Sequence, residues 1–207
     1  MRALKLLNAL FLLFPLSSFA TTLPRLPLDD LYKNADVVAV VQIESGSIVE
    51  VGERACGIRY SGRVVESIKG PYKKSDTVEF GPYSGRGIGD SALVFLNRSD
   101  NVYSPKTSTN STALAQEAAY RETCLSKMPK YSIMFDGFGF LEISWTTKFD
   151  YKEAVLFKDR WIASPGELER KLREPGDNQI KSDEYWVKAN DVVTYLRNLG
   201  VTKSANP

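Results

Sequence analysis

The residues of this 207-residue chain that could do chemistry are few in kind, because histidine is absent and cysteine occurs only twice. Without histidine there is no Ser-His-Asp triad, no Cys-His dyad and no His-containing zinc site. Carboxylates remain: Asp136, Glu142, Asp150 and Glu153 fall among Phe135, Phe138, Phe140, Trp145, Phe149 and Tyr151. Two carboxylates facing each other across a cleft can hydrolyse a glycosidic bond, and the aromatic residues could stack a sugar or a peptide. Turns and exposed strand faces are nevertheless the ordinary place for Asp and Glu, and buried strands the ordinary place for aromatics. The run Gly81-Pro-Tyr-Ser-Gly-Arg-Gly-Ile-Gly-Asp90 has the composition of a phosphate loop. A phosphate loop leads into a helix, whereas the apolar, strand-like stretch 91–96 follows here, so the run reads as a connection between strands. None of these groups calls for a metal or a cofactor, and no residue is singled out as catalytic with any support beyond its type.

A binding surface is better specified. Arg59, Ser61 and Arg63 alternate with apolar neighbours and so share the outer face of a strand. Tyr72, Lys73, Lys74, Tyr83 and Arg86 lie in the adjoining loops. Such polar faces are usually solvated whether or not they bind anything.

Several elements must position these groups. Residues 28–34 can make a short helical turn. From 36 the β-branched run Val-Val-Ala-Val-Val-Gln-Ile reads as a strand buried on both faces, continuing toward Glu50. After a reversal at 52–54, Ile58, Tyr60, Val64 and Ile68 set the inner face of a long second strand in which Gly62 marks a bulge or bend. Short strands follow at 77–81 and 91–96. A helix capped by Thr112 carries Leu114, Ala118, Cys124 and Leu125. Strands at 131–135, 138–145, 154–157 and 161–163 read as hairpins. Residues 164–181 read as a surface excursion with a weak helix at 166–173. A final helix capped by Asn190 or Asp191 presents Val192, Val193, Leu196 and Leu199, and Gly200 stops it.

The N-terminus has Arg2 and Lys5, an apolar run over 6–16 and small residues up to Ala20, the pattern of a cleaved secretory signal peptide. The expectation is an exported protein, periplasmic or secreted, with no stable membrane insertion once residues 1–20 are removed, since the run is too short to span a bilayer. Of 27 Lys and Arg, removal of Arg2 and Lys5 leaves 25 against 25 Asp and Glu. A neutral protein lacks the attraction that supplies most nucleic-acid affinity, so no nucleic acid is expected as partner. In an oxidising compartment the even pair Cys56 and Cys124 reads as one disulfide.

Three blocks resemble a known group: Ala35-Asp-Val-Val-Ala-Val-Val-Gln-Ile43; Cys56-Gly-Ile-Arg-Tyr60 leading to Glu66-Ser-Ile-Lys-Gly70; and Phe80-Gly-Pro-Tyr-Ser-Gly85 with Ile88-Gly-Asp-Ser-Ala-Leu-Val-Phe-Leu96. In that order, over residues 35–124, they are similar to the netrin-like, tissue-inhibitor-of-metalloproteinases type of OB-fold, in particular to its uncharacterised exported bacterial members. The resemblance implies a mostly β (α+β) protein: an OB-like five-stranded barrel with packed helices over 28–127, and a C-terminal hairpin and helix extension over 128–207 packed on the same unit. It also implies a scaffold that binds partners. In the animal relatives an N-terminal Cys chelates the protease zinc, whereas the mature start here is Thr21-Thr22 in a Pro-containing arm. The expected function is therefore non-catalytic binding of an envelope or extracellular protein through the barrel face. The alternatives are a carboxylate-dependent envelope hydrolase and a metalloprotease inhibitor acting without the Cys wedge.

Overall fold

The computed structural model describes residues 25–81, 87–98, 111–150, 152–159, 161–174 and 183–204. In chain order the elements are β1 (Leu26–Pro27), α1 (Leu28–Asn34), β2 (Val37–Val51), β3 (Arg54–Lys69), β4 (Thr77–Gly81), β5 (Ser91–Arg98), α2 (Ser111–Lys127), β6 (Tyr131–Ile133), β7 (Phe140–Thr146), β8 (Lys152–Lys158), β9 (Ile162–Ala163), β10 (Arg170–Leu172), β11 (Glu184–Lys188) and α3 (Ala189–Ser204).

The chain is mostly β, and strands between Val37 and Ile133 close into a five-stranded barrel. β5 pairs β2, β2 pairs β3, β3 pairs β4, β4 pairs β6 in parallel, and β6 returns to β5. This is the strand order of an OB-like barrel. The β-branched run of β2 explains its central place: Val37, Ala39, Val41 and Ile43 point into the barrel with Tyr60, Val64, Val78 and Phe80, while Val38 points the other way into a second core. Both faces of β2 are thus buried, as its unbroken apolar run requires.

β5 is the element that joins the two halves. Ala92, Val94 and Leu96 face the barrel interior, and Leu93 and Phe95 face the second core, which α1 and α3 cover with Leu28, Leu31, Val192 and Leu196. One edge of β5 is divided: β7 pairs with Ser91–Val94 and β6 with Leu96–Arg98. At the division Phe95 N–H donates to the Gly139 carbonyl (2.8 Å) and Met134 N–H donates to the Phe95 carbonyl (3.0 Å). A Cβ on Gly139 would lie 2.8 Å from the Phe95 oxygen and 3.1 Å from Met134 N, so only glycine fits there. Beyond the fork β7, β8, β11 and β10 extend the sheet.

Several expectations are corrected by this topology. The strands at 131–133 and 140–146 do not form a hairpin with each other, because both claim the same edge of β5. β9 runs parallel to β1 and does not fold back on β8. Residues 170–172 within the anticipated weak helix are a strand, and Glu184–Lys188 is a strand that the polar surroundings concealed. The fifth barrel strand lies at 131–133, beyond the boundary at 127, and α1 belongs to the second core instead of the barrel.

On β3, Ile68 does not share the inner face with Tyr60 and Val64. The register slips between Val40 and Val41, opposite Glu66 and Val64, and the extra residue Val65 turns Ile68 toward the second core. At Gly62 the slip belongs to the partner strand, where Glu44 is the extra residue. α2 does not bury Ala118 or Leu125, the latter being 43% exposed. Gly200 does not end α3, which runs on to Ser204. A Cβ there would come within 2.6 Å of the Tyr32 hydroxyl, so this glycine serves the close approach of α1 and α3.

Ser132, at 1% exposure, has a hydroxyl without a hydrogen-bond partner among the described residues. A buried unsatisfied hydroxyl costs about 1–3 kcal/mol. Ser132→Ala is expected to leave urea-unfolding stability unchanged or raise it by about 1 kcal/mol, and a loss of that size would mean the hydroxyl is bonded in solution.

Candidate binding surface

Alternation along the barrel strands sends every second residue of β2, β3 and β4 outward; Val38 and Val40 meet the second core, whereas around Arg59 and Arg63 the outward residues are polar. Arg63 stands opposite Gln42 on β2 and Thr77 on β4; Ser61 stands opposite Ser45 and Glu79; Arg59 stands opposite Ser47. Arg59 Nη2 donates to Glu79 Oε2 at 2.5 Å. Arg63 Nε donates to Glu44 Oε1 at 3.0 Å, and its Nη2 to Gln42 Oε1 at 2.6 Å.

All four charged side chains are close to half exposed, so each pair adds little stability. What the pairs do is hold the planar guanidinium groups in place. A guanidinium carries five N–H donors. Among the described residues these contacts use one donor of Arg59 and two of Arg63, leaving the others to meet a ligand.

The structure brings Arg59, Ser61 and Arg63 together as expected, with Lys73 and Lys74 in the exposed turn that follows β3. Lys73 N–H donates to Asp76 Oδ2 (2.7 Å), which closes that turn. Tyr72 is half buried against Tyr131, ring centroids 6.0 Å apart, and burial followed by its neighbour Tyr131 pushes its hydroxyl above the usual tyrosine range. Tyr72 is therefore part of the barrel end more than of the open face. Tyr83 and Arg86 lie outside the described residues. The acids Glu44 and Glu79 were missed in sequence because they reach the arginines only through strand pairing, 19 and 20 residues away.

Of the carboxylates of the C-terminal half, Glu142 and Glu153 do not converge. Glu142 is half buried and accepts from Ser144 Oγ at 2.9 Å. Glu153 is exposed opposite Trp145, which puts it on the other face of the sheet from Glu142 and Ser144. Asp150 is exposed and ends a 3₁₀ turn with φ of 54°. The side chain of Asp136 and all of Tyr151 lie outside the described residues. Among the described residues no three of Cys, Asp and Glu form a group able to hold a metal ion, and no helix is long and apolar enough to cross a membrane.

No family model, curated protein or solved structure matches the chain.

Two further features escaped the sequence reading. An open groove of about 540 Å³ lies along α3, lined by Glu167, Leu168, Asp191, Thr194, Tyr195 and Leu199. On its floor the Tyr195 hydroxyl donates to Asp29 Oδ1 (2.6 Å), and burial, then Asp29, pushes that hydroxyl well above the tyrosine range.

The second feature is the position of α2, which the Cys56–Cys124 disulfide fixes beside the far end of the β2–β3 hairpin, with Cα atoms 5.6 Å apart. There Arg54 Nη2 donates to Glu117 Oε2 (3.1 Å), and this bond, ahead of the Arg121 charge, holds the Glu117 carboxyl below the usual range. A depressed carboxylate contributes above its unfolded value and is lost as pH falls through its folded one. Acidification through the carboxylate range is expected to lower the protection of α2, measured relative to intrinsic exchange, before that of β5, and Arg54→Ala to weaken that pH dependence.

Proposed function

We propose that the protein is an exported, non-catalytic binding module of the netrin-like, tissue-inhibitor-of-metalloproteinases type, and that it recognises an envelope or extracellular protein through the outer face of β3 and β4. The observation that carries this reading is the charge mosaic of that face. Arg59 with Glu79 and Arg63 with Glu44 alternate in sign, and each arginine keeps unused donors. A polyanion needs a continuous positive field, whereas a mosaic of fixed opposite charges suits the mixed polar surface of a protein and favours specificity over bulk attraction. The strand order supports the family reading, and the N-terminal leader pattern supports export. The carboxylate-hydrolase alternative has less support, since Glu142 and Glu153 lie on opposite faces of one sheet.

The test is capture by crosslinking of the tagged mature protein in its own envelope fraction, followed by binding of the purified pair. R59E/R63E is expected to weaken that binding at least about tenfold while melting cooperatively. A partner held equally well by R59E/R63E, or the lack of any partner enriched over it, overturns the reading.

A further inference from the structure

We infer that the Cys56–Cys124 bond is a releasable clasp: its reduction by a dithiol frees α2 and bares the edge of β3 over residues 54–57, leaving the barrel folded. This goes beyond the binding proposal and stands or falls separately from it.

The edge comes first. β4 pairs only with residues 60–63 of β3. β4 ends at Gly81, where a Cβ would meet the Ile58 carbonyl, so on the side of β3 away from β2 residues 54–57 have no strand beside them among the described residues. α2 takes that place: the Tyr120 hydroxyl donates to the Ala55 carbonyl at 2.9 Å, which satisfies an edge acceptor that a neighbouring strand would otherwise take.

The second observation is how little else holds the helix. Over 115–127 none of its side chains is buried, and those turned toward the barrel, Glu117, Tyr120, Arg121 and Cys124, are only half buried. The remaining attachments are polar and exposed. Arg54 pairs with Glu117 (3.1 Å) and lies over the Tyr120 ring at 3.7 Å, and Lys127 Nζ donates to the Glu50 carbonyl at 2.9 Å. Helices in proteins are held chiefly by an apolar face, and exposed ion pairs contribute little. Over the described side chains, 115–127, α2 has no such face in contact with the barrel, so the covalent bond is what keeps that part in place. The barrel core, by contrast, contains no residue of α2.

In the exchange, one thiolate of the dithiol attacks one of the two Sγ atoms and its second thiol resolves the mixed disulfide. The Sγ–Sγ bond breaks, two electrons and two protons pass to Cys56 and Cys124, and the dithiol leaves as a disulfide. The edge of 54–57 then presents unpaired carbonyl and N–H groups, the pattern on which strands pair.

The experiment uses the native full-length chain, reduced with dithiothreitol at neutral pH, alkylated with iodoacetamide and compared with the oxidised protein by hydrogen exchange and mass spectrometry. Exchange over 115–127 and 54–57 is expected to rise at least about tenfold, while 92–96 keeps its protection. Unchanged protection of 115–127 once both thiols are alkylated would show that the polar contacts suffice and overturn the clasp. Loss of protection in 92–96 at the same step would show a staple for the whole fold and overturn it equally. Because reduction is carried out on folded protein, failure of a cysteine variant to fold does not enter.

Discussion

Phe95→Ala is expected to destabilise the barrel and the extension as one unit, by about 3–5 kcal/mol, the usual cost of emptying a buried phenylalanine site. The Phe95 side chain is fully buried against Leu93, Leu141 and Phe157 in the second core. Its backbone holds both arms of the fork through Gly139 and Met134, and its neighbours Val94 and Leu96 line the barrel. Urea unfolding followed by tryptophan fluorescence reports the extension, which contains Trp145, Trp161 and Trp186; far-ultraviolet circular dichroism reports the whole. The two curves are expected to shift together. Two separated transitions, or a loss below about 1 kcal/mol, would refute a shared core. Phe95→Leu, which keeps most of the volume, should cost markedly less.

Cys56→Ser/Cys124→Ser is expected to lower global stability by about 4 kcal/mol. The sequence separation is 68, and cross-linking a loop of that length removes about this much free energy from the unfolded ensemble in the chain-entropy model. For a domain of this size it corresponds to a fall in Tm of roughly 10 °C. The effect lies chiefly in the unfolded state, because the folded barrel keeps β3 and β6 joined through β4 even with α2 released; the variant should still melt cooperatively, with the near-ultraviolet spectrum of its barrel tyrosines kept. A change in Tm of less than about 3 °C would mean that the unfolded chain already holds these segments together.

The barrel was legible because its strands are unusually explicit. The run from Val37 to Ile43 is apolar on both faces, and Val78 with Phe80 alternates cleanly. Legibility failed where a local irregularity changed a parity. The bulge at Val65 moves Ile68 into another core, and nothing in Arg63-Val-Val-Glu-Ser-Ile68 marks which residue is extra.

It failed again where burial comes from packing partners far along the chain. Trp186 and Val187 in the short strand Glu184–Lys188 are buried on opposite faces, but glutamate and lysine at its ends hide the pattern. Gly200 has the look of a helix stop until Tyr32, 168 positions earlier, occupies the space of its missing side chain. α2 taught the same lesson in reverse: an apolar periodicity was visible, yet a disulfide and a salt bridge turned another face of the helix inward. On the candidate surface the arginines were found from alternation alone, whereas the acids that orient them required the strand register.

The divided edge of β5 imposes an order on how the chain is made. As synthesis proceeds, β2, β3, β4 and β5 can pair while the rest of the polypeptide is still being added, but the barrel stays open until 131–133 arrives. A few residues later 140–143 emerges, an apolar strand equally able to seek the edge of β5. The two candidates compete for neighbouring stretches of one template, and a slip of either would leave the other without a berth. The turn at 134–139, closed by the Gly139 contacts, keeps the late strand from overrunning the early one. In a newly made chain that turn therefore separates the strand that seals the barrel from the strand that begins the extension.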